Sequence, residues 1–400
     1  RAVWNSLLAG IVIEHKSVES LRREVSRNAE LRQCCGFDLF KGQRAVPPAG
    51  VYTRFLKKLL EHRERVDAMF HELVKQLREL LPDFAARLAI DSKAVDSHGR
   101  PVKEGKEKDG RRDTDADWGV KRYNGLREDG SVWEKVKRWF GYKLHLVVDA
   151  DYELPVAYKL TKASASDCPE LPPLLDQLDQ AQPGLLERCQ YLSADKGYDS
   201  RENNRACWDT YGIKPIIDIR NTWKEDPHLP RQLHPDRVDT IFYSETGKVL
   251  CRHRDDADKE QDNYTPMAFE GFEADRQSLK YRCPAAAKGV HCSQQGLCNG
   301  GCHTEHGRIV RIGLETDPRT FTPQARDSAA WKREYNHRSA VERVNGRLDL
   351  SFGFEQHFIR GQKKMRLRCG LALAVMLAMA VGRIRANQRD RLRSLVKPAA

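Results

Sequence analysis

The run WFGYKLHLVVDA, residues 139–150, limits what this chain can fold into more than any other stretch. Tyr142, Leu144, Leu146 and Val148 alternate with Lys143, His145 and Val147, a period of two that a β-strand uses and a helix cannot. The turn DYELP and a second run, VAYKLTKA, follow at once, so two strands are joined by a short connection. Upstream, ARLAIDSKAV is a further strand-like run that ends in turn residues. Downstream, ASDCPELPPLLDQL opens with an Asp167 cap and early prolines and reads as a helix start. CQYLSAD and IKPIIDI read as two more strands, separated by RENNRACWDTYG, a helical stretch with Ser200 as its cap.

Three consecutive strands, then helix, strand, helix and strand, predict an α/β chain with an RNase H-like core: a mixed five-stranded sheet flanked by helices. Residues 1–85 read as a helical region. Ser17 caps SVESLRREVSRNAEL, and residues 51–81 form one long amphipathic helix ended by Pro82. This region is either a DNA-binding and dimerisation element or a plain helical bundle. The catalytic-core candidate spans 86–220. Residues 221–325, rich in Asp, Pro, Gly and Cys, read as an inserted subdomain, and 326–358 return to helix. Residues 335–348, YNHRSAVERVNGRL, fit a single helix with Val341, Val344 and Leu348 on its apolar stripe. Tyr335, Arg338, Glu342, Asn345 and Asp349 fall on a flanking face, which puts Glu342 at the edge of a core. Residues 359–400 form a basic C-terminal segment, with a last helix from about Lys363 to Arg393.

The net charge of +12 favours a polyanionic partner. From Ile359 to Ala400 there are eleven Lys or Arg against one acid, Asp390, so this tail carries +10 of the total. It either binds nucleic acid or serves solubility. The uncharged apolar run Gly370–Gly382 is far short of the ~20 residues of a membrane span and reads as a buried helix. A signal peptide is not expected, and the eleven cysteines are expected to be reduced thiols. Cys283, Cys292, Cys298 and Cys302 crowd one stretch, beside His291, His303 and His306, and are either a structural zinc site or free thiols. DTDADW, 113–118, imitates a calcium loop but has Trp118 where glycine is needed and Asn124 where glutamate is needed. The stretch from His98 to Trp133 reads as a long loop between the first two strands. Lys121, Arg122, Lys135, Lys137 and Arg138, with Tyr123, Trp133 and Trp139, either track DNA or form a solvated charged surface. His145 is expected to be a satisfied structural histidine.

Asp91 and Asp195 each end an apolar run, where a strand hands over to a loop, and Glu342 adds a carboxylate from a helix. Carboxylates from distant segments are what a two-metal phosphoryl-transfer site requires, because Mg²⁺ prefers carboxylate oxygen and keeps waters for substrate phosphates.

AIDSKAV around Asp91, WFGYKLH at 139–145, SADKGYDS around Asp195 and YNHRSAVERVNGRLD at 335–349 together resemble bacterial insertion-sequence DDE transposases of the Tyr-x2-Arg-x3-Glu-x6-Lys signature group. Tyr335, Arg338 and Glu342 match that signature in type and spacing, and the lysine position holds Asp349. The resemblance covers about residues 10 to 385. It implies Asp91, Asp195 and Glu342 as catalytic ligands of Mg²⁺ or Mn²⁺, with cleavage at transposon ends followed by strand transfer into target DNA. Tyr335 and Arg338 would hold phosphates, with Lys143, Arg347, Lys363 and Lys364 as further DNA-contacting cations. It also implies double-stranded DNA with terminal inverted repeats as partner, a homodimer, no membrane, and a cytoplasmic, nucleoid-associated protein. The alternative is a catalytically inactive, transposase-derived, sequence-specific DNA-binding regulator; the three carboxylates at their expected places argue against it, and the Asp349 departure is its only support.

Overall fold

A computed structural model describes residues 1–101, 112–127, 129, 131–223, 229–236, 240–254, 262–289 and 307–395. In chain order the elements are α1 (Ala2–Val12), α2 (Val18–Arg27), α3 (Ala29–Cys35), α4 (Ala49–Glu61), α5 (Arg63–Leu80), β1 (Arg87–Asp96), β2 (Asp117–Leu126), β3 (Val132–Asp149), β4 (Leu154–Lys162) and α6 (Leu171–Ala181). Then come β5 (Tyr191–Ala194), α7 (Arg201–Arg205), β6 (Lys214–Ile217), β7 (Arg231–Gln232), β8 (Ile241–Tyr243), β9 (Val249–Arg254), β10 (Asp262–Pro266), β11 (Ala268–Glu273), β12 (Ser278–Arg282), α8 (Pro284–Lys288) and β13 (Ile309–Gly313). The last helices are α9 (Ala329–Asn336), α10 (Ser339–Phe352) and α11 (Gln362–Arg385). The chain forms two compact units, Arg1–Arg188 with Ser339–Ala400, and Cys189–Arg338.

In the first unit, β3 is the centre of an antiparallel sheet. It pairs with β1 from Leu88↔Asp149 to Asp96↔Gly141, with β4 from Tyr142↔Lys162 to Asp149↔Leu154, and with β2 from Asp117↔Gly141 to Leu126↔Val132. The expected loop between the first two strands thus contains a strand of its own, β2, and β3 begins seven residues before the alternating run. The predicted long helix of residues 51–81 is instead two helices, because the chain leaves helical geometry at His62 (φ −115°, ψ 40°). Ser17 accepts from Ser20 N and Ser20 Oγ bonds back, a reciprocal cap that fixes the start of α2. Helix α5 buries Val66, Phe70, Val74 and Leu77 and packs against α11.

Helix α11 has a mean hydropathy of 1.8 over its most apolar window, and its 24 residues are long enough to cross a membrane. Some 72% of that window is buried within the protein, against α5, α1, α4 and β4. A helix apolar all round is what a core position demands. Several arginines of the basic C-terminal segment bond inside the same unit: Arg389 donates to Leu80 O, Arg385 to Gln76 Oε1, and Arg393 to Asp151 O. His145 is fully buried, 3.0 Å from Thr161 Oγ1, and burial pushes its imidazole down to about 4. The DTDADW stretch is also structural. Buried Asp113 accepts from Ser97 Oγ, Tyr142 Oη and the Gly361 and Asp115 amides, and these donors outweigh burial and hold it below the usual carboxylate range.

In the second unit, β5 and β6 are a parallel pair in the register Tyr191↔Lys214 to Ala194↔Ile217. Residues 231–313 carry two antiparallel sheets, β10-β9-β8-β7 and β11-β12-β13. They share a core of Ile241, Val249, Leu279, Tyr281, Ile312 and Phe321.

Candidate active site

Asp195 and Glu342 stand where an element ends or begins, whereas Asp91 lies mid-strand: β1 pairs with β3 as far as Asp96, so the expected handover from strand to loop at Asp91 is corrected. In the first unit, Asp91 lies on β1 beside buried Ser92, whose amide donates to Asp91 Oδ1 at 2.7 Å. Helix α10 packs on β1 and β3 through Val341, Val344 and Leu348, each fully buried. Burying three such side chains contributes roughly 5 kcal/mol or more before entropy, which is enough to dock the helix on the sheet. Glu342, next to that stripe and in the first turn, is exposed at the core edge as expected. The helix N-terminus favours a negative charge there.

The expectation of one helix over 335–348 is corrected. Helix α9 ends at Asn336 and α10 begins at Ser339. The helical period runs unbroken through the sequence, but Tyr335 and Arg338 belong to the second unit while Glu342 belongs to the first.

In the second unit, Asp195 follows β5 directly, and its carboxylate accepts from Gly197 N at 2.7 Å, capping the turn Lys196–Tyr198. Next to it, Asp199 is buried, with Arg319 Nε at 2.7 Å and the Arg220 amide at 2.9 Å holding the turn in place. Helix α9 packs on β5 and β6, and Ser193 Oγ donates to Glu334 O at 3.1 Å. Tyr335 stacks on Trp331 with ring centroids 4.9 Å apart, and the Arg338 guanidinium lies 5.7 Å from the Tyr335 ring. Burial first, then the charges of Asp218 and Asp195, push the Tyr335 hydroxyl above its ordinary range. Asp218 is an acid that the sequence reading passed over. It follows β6 as Asp195 follows β5, and the Ala194↔Ile217 register sets the two strand ends side by side. The signal was present in IKPIID, an apolar run ended by Asp, the same pattern that singled out Asp91 and Asp195.

The signature lysine position is engaged from an unexpected quarter. Lys93, two residues after Asp91 on β1, reaches Asp349 Oδ2 at 2.6 Å and Glu355 Oε1 at 2.7 Å. Burial alone would lower the Lys93 ammonium, but its hydrogen bonds and the charges of the two carboxylates outweigh burial and raise it. Burial raises Asp349 above the usual carboxylate range, against the pull of Lys93. Asp349 Oδ1 and Asn345 Oδ1, on the same helix, are buried without a hydrogen-bond partner.

The other candidate cations divide. Lys143 is only 13% exposed and donates to Ala165 O and Asp167 Oδ1 at 2.7 and 3.0 Å, which takes Asp167 away from its expected capping role. Arg347 donates to Glu153 Oε2 at 2.9 Å, and Arg343 and Arg393 meet the same buried carboxylate at 2.7 and 3.3 Å. Lys363 and Lys364 are exposed in the first turn of α11.

Among the described residues, no group of three or more His, Cys, Asp or Glu side chains is gathered closely enough to hold a metal ion. Asp91 and Glu342 lie in the first unit and Asp195 in the second. Of the candidate zinc ligands, Cys283 is buried and in no disulfide, and Cys292, Cys298 and Cys302 lie outside the described residues.

Residues 82–378 match the family model described as the transposase DDE domain. A Burkholderia cepacia protein named as a transposase for insertion sequence element IS402 is 41% identical over 86 residues, 20% of this chain. The chain therefore spans 39% of the length of the curated relative it matches. A cryo-EM structure of the piggyBac transposase synaptic complex with hairpin DNA aligns with all of this chain and 76% of its own at 11% identity. Its TM-score is 0.28, an agreement too slight to inform the fold. With the family model matched from before β1 to within α11, through Asp91, Asp195 and Glu342, the chain belongs to the DDE-domain transposases of bacterial insertion sequences.

Proposed function

We propose that this chain is a divalent-metal-dependent DNA transposase that cleaves at the ends of its element and joins the freed 3′-hydroxyl to target DNA. The observation that carries the proposal is the family match over 82–378, read with the placement of Asp91 on a strand, Asp195 at a strand end and Glu342 in the first turn of a docked helix. In this reading β1, β3, β4, β5 and β6 build an RNase H-like core, and the protein acts as a homodimer on paired inverted repeats in the cytoplasm.

The chemistry of the donors suits Mg²⁺ or Mn²⁺, since all three are carboxylates and neither thiol nor imidazole is among them. Asp91, Asp195 and Glu342 would hold the metal, which when bound would make a water or 3′-hydroxyl nucleophilic and stabilise the leaving oxygen. Tyr335 and Arg338 would orient a phosphate beside Asp195, with the stacked Trp331 keeping the Tyr335 ring fixed. The packing of α10 would hold Glu342 at a defined height above the sheet.

The test is incubation of the full chain with circular DNA carrying the element's borders, with Mg²⁺ or with EDTA, followed by mapping of breaks at single-nucleotide resolution. Breaks at the borders in Mg²⁺ alone are expected. Sequence-specific binding to the borders with no cleavage in Mg²⁺ or Mn²⁺ would favour the regulator instead.

A further inference from the structure

The first nine residues of β3, Val132–Phe140, pair with β2, whereas the pairing of β3 with β1 starts at Gly141 and that with β4 at Tyr142. Residues 118–126 and 132–140 therefore form a two-stranded ribbon, about 30 Å long at ~3.4 Å per residue. The antiparallel register sorts its side chains onto two faces, because directly opposed residues share a face. One face carries the pairs Gly119↔Trp139, Lys121↔Lys137 and Gly125↔Trp133, with Lys135 between Trp133 and Lys137. The other carries Val120↔Arg138 and Arg122↔Val136, and there Arg122 is paired with Glu134 at 3.4 Å.

The first face has three properties that a ribbon serving only the fold would not need. Lys121 and Lys137 stand directly opposite each other, which costs stability in an isolated pair of strands. No acid shares the face between Gly119 and Gly125 or between Trp133 and Trp139. The two tryptophan rings lie across glycines: a Cβ on Gly119 would come within 2.3 Å of the Trp139 ring, and one on Gly125 within 2.5 Å of the Trp133 indole. Trp139 is buried, its indole N–H donating to Tyr142 O at 3.0 Å, and anchors the ribbon to the fold, so the accessible part of the face is the lysines with half-buried Trp133 at the far end. Lys135 and Lys137 are exposed. Burial raises Asp96 and Asp349 above the usual carboxylate range, and the charge of Lys137 opposes that shift in both.

We propose that the Lys121, Lys135 and Lys137 face of the ribbon is a contact surface for the phosphate backbone of duplex DNA. A double helix supplies the negative charge that makes opposed lysines favourable, and a two-stranded ribbon is narrow enough to enter its major groove. A second copy of this chain is a poor occupant, because its net charge is also +12. The inference rests on DNA being the substrate and adds which element meets it.

The experiment measures binding of the full chain to a labelled duplex of arbitrary sequence across a potassium chloride series. The variants are K121Q/K135Q/K137Q and, as the opposite-face control, R122Q/R138Q. Each lost phosphate contact lowers the slope of log affinity against log salt by ~0.9, so the lysine variant is expected to lose about 2–3 from the slope and the control less than about 1. A lysine variant with the wild-type slope, or an equal loss in the control, would overturn the assignment. Thermal unfolding checks that each variant is folded. If the triple variant is not, K137Q alone should still cost ~0.9 of slope, and an unchanged slope there also overturns the assignment. The outcome is separable from that of the proposed function. A wild type that never cleaves but loses slope with the lysines refutes only the transposase activity. A lysine variant that binds and cleaves as wild type refutes only the ribbon.

Discussion

Replacing Lys93 by Met should expose how β1 and α10 are held in register. The Lys93 ammonium sits 2.6 Å from Asp349 and 2.7 Å from Glu355, and its side chain is only 10% exposed. Glu355 is 58% exposed, so solvent screens its share and it contributes little. Asp349 is 27% exposed, and breaking this pair would leave its carboxylate partly buried with no cation in contact. A fully buried pair broken on one side costs ~3–5 kcal/mol, so the partial exposure of Asp349 sets the expectation at about 2–3 kcal/mol. For a unit of this size that lowers Tm by roughly 5–10 °C.

The pH dependence of that loss is the sharper test. Burial already raises Asp349 above the ordinary carboxylate value, and without Lys93 it rises further. For an acid whose folded-state pKa lies above its unfolded value, the cost is present when the group is ionised and is relieved as pH falls through the folded pKa. The deficit of Lys93→Met relative to wild type should therefore shrink on moving from pH ~7.5 to pH ~5. A double variant, Lys93→Met with Asp349→Leu, should recover most of the lost stability, since replacing both partners of a buried pair is close to neutral. Thermal unfolding followed by circular dichroism reads all three quantities. A single variant as stable as wild type near pH 7.5, or a deficit that does not change with pH, would refute the reasoning.

Glu153→Gln should cost about 2–3 kcal/mol in chemical denaturation, mostly through Arg347, which is 12% exposed; the ends of Arg343 and Arg393 at 50% and 65% exposure add little. Asp149 is buried and pushed up to about 7 by burial, although it accepts from the Ala85 and Tyr152 amides. The folded state then binds a proton that the unfolded state releases, so this group lowers stability progressively as pH rises from ~4 to ~7. Asp149→Asn should flatten that part of the stability profile, and an unchanged slope would count against it. The Lys121, Lys135 and Lys137 substitutions should reduce the salt dependence of DNA binding without lowering Tm by more than a few degrees.

What could be read from the residues was whatever local pattern dictates. The alternation of 139–150, the apolar run ending at Asp195, and the Ser17 and Ser200 caps all take their form from neighbours in sequence, and all have counterparts in the fold, whereas the strand read as ending at Asp91 runs on to Asp96 because β3 pairs with it that far. The stripe of Val341, Val344 and Leu348 is buried and Glu342 is at its edge, as the helical period required. What escaped was set by partners distant in sequence or by unmarked breaks. His62 and the His337–Arg338 junction interrupt helices with no proline or glycine to announce it. Strand β2 owes its form to β3, because its charges and glycines hide the alternation until the register is known. The meeting of Lys93 with Asp349, 256 residues apart, could not be seen from either residue alone. Conversely, Lys143 and Arg347 looked available for phosphate, whereas in the fold each is occupied by a carboxylate of its own unit.

The central claim is that Asp91, Asp195 and Glu342 act together in cutting DNA. The most direct measurement compares wild type with Asp91→Ala, Asp195→Ala and Glu342→Ala in Mg²⁺-dependent cleavage of border DNA, with duplex binding measured in parallel. Each alanine variant is predicted to lose cleavage by a factor on the order of 10³ or more while binding DNA as tightly as wild type. A Glu342→Ala protein that cleaves at the wild-type rate would contradict the account.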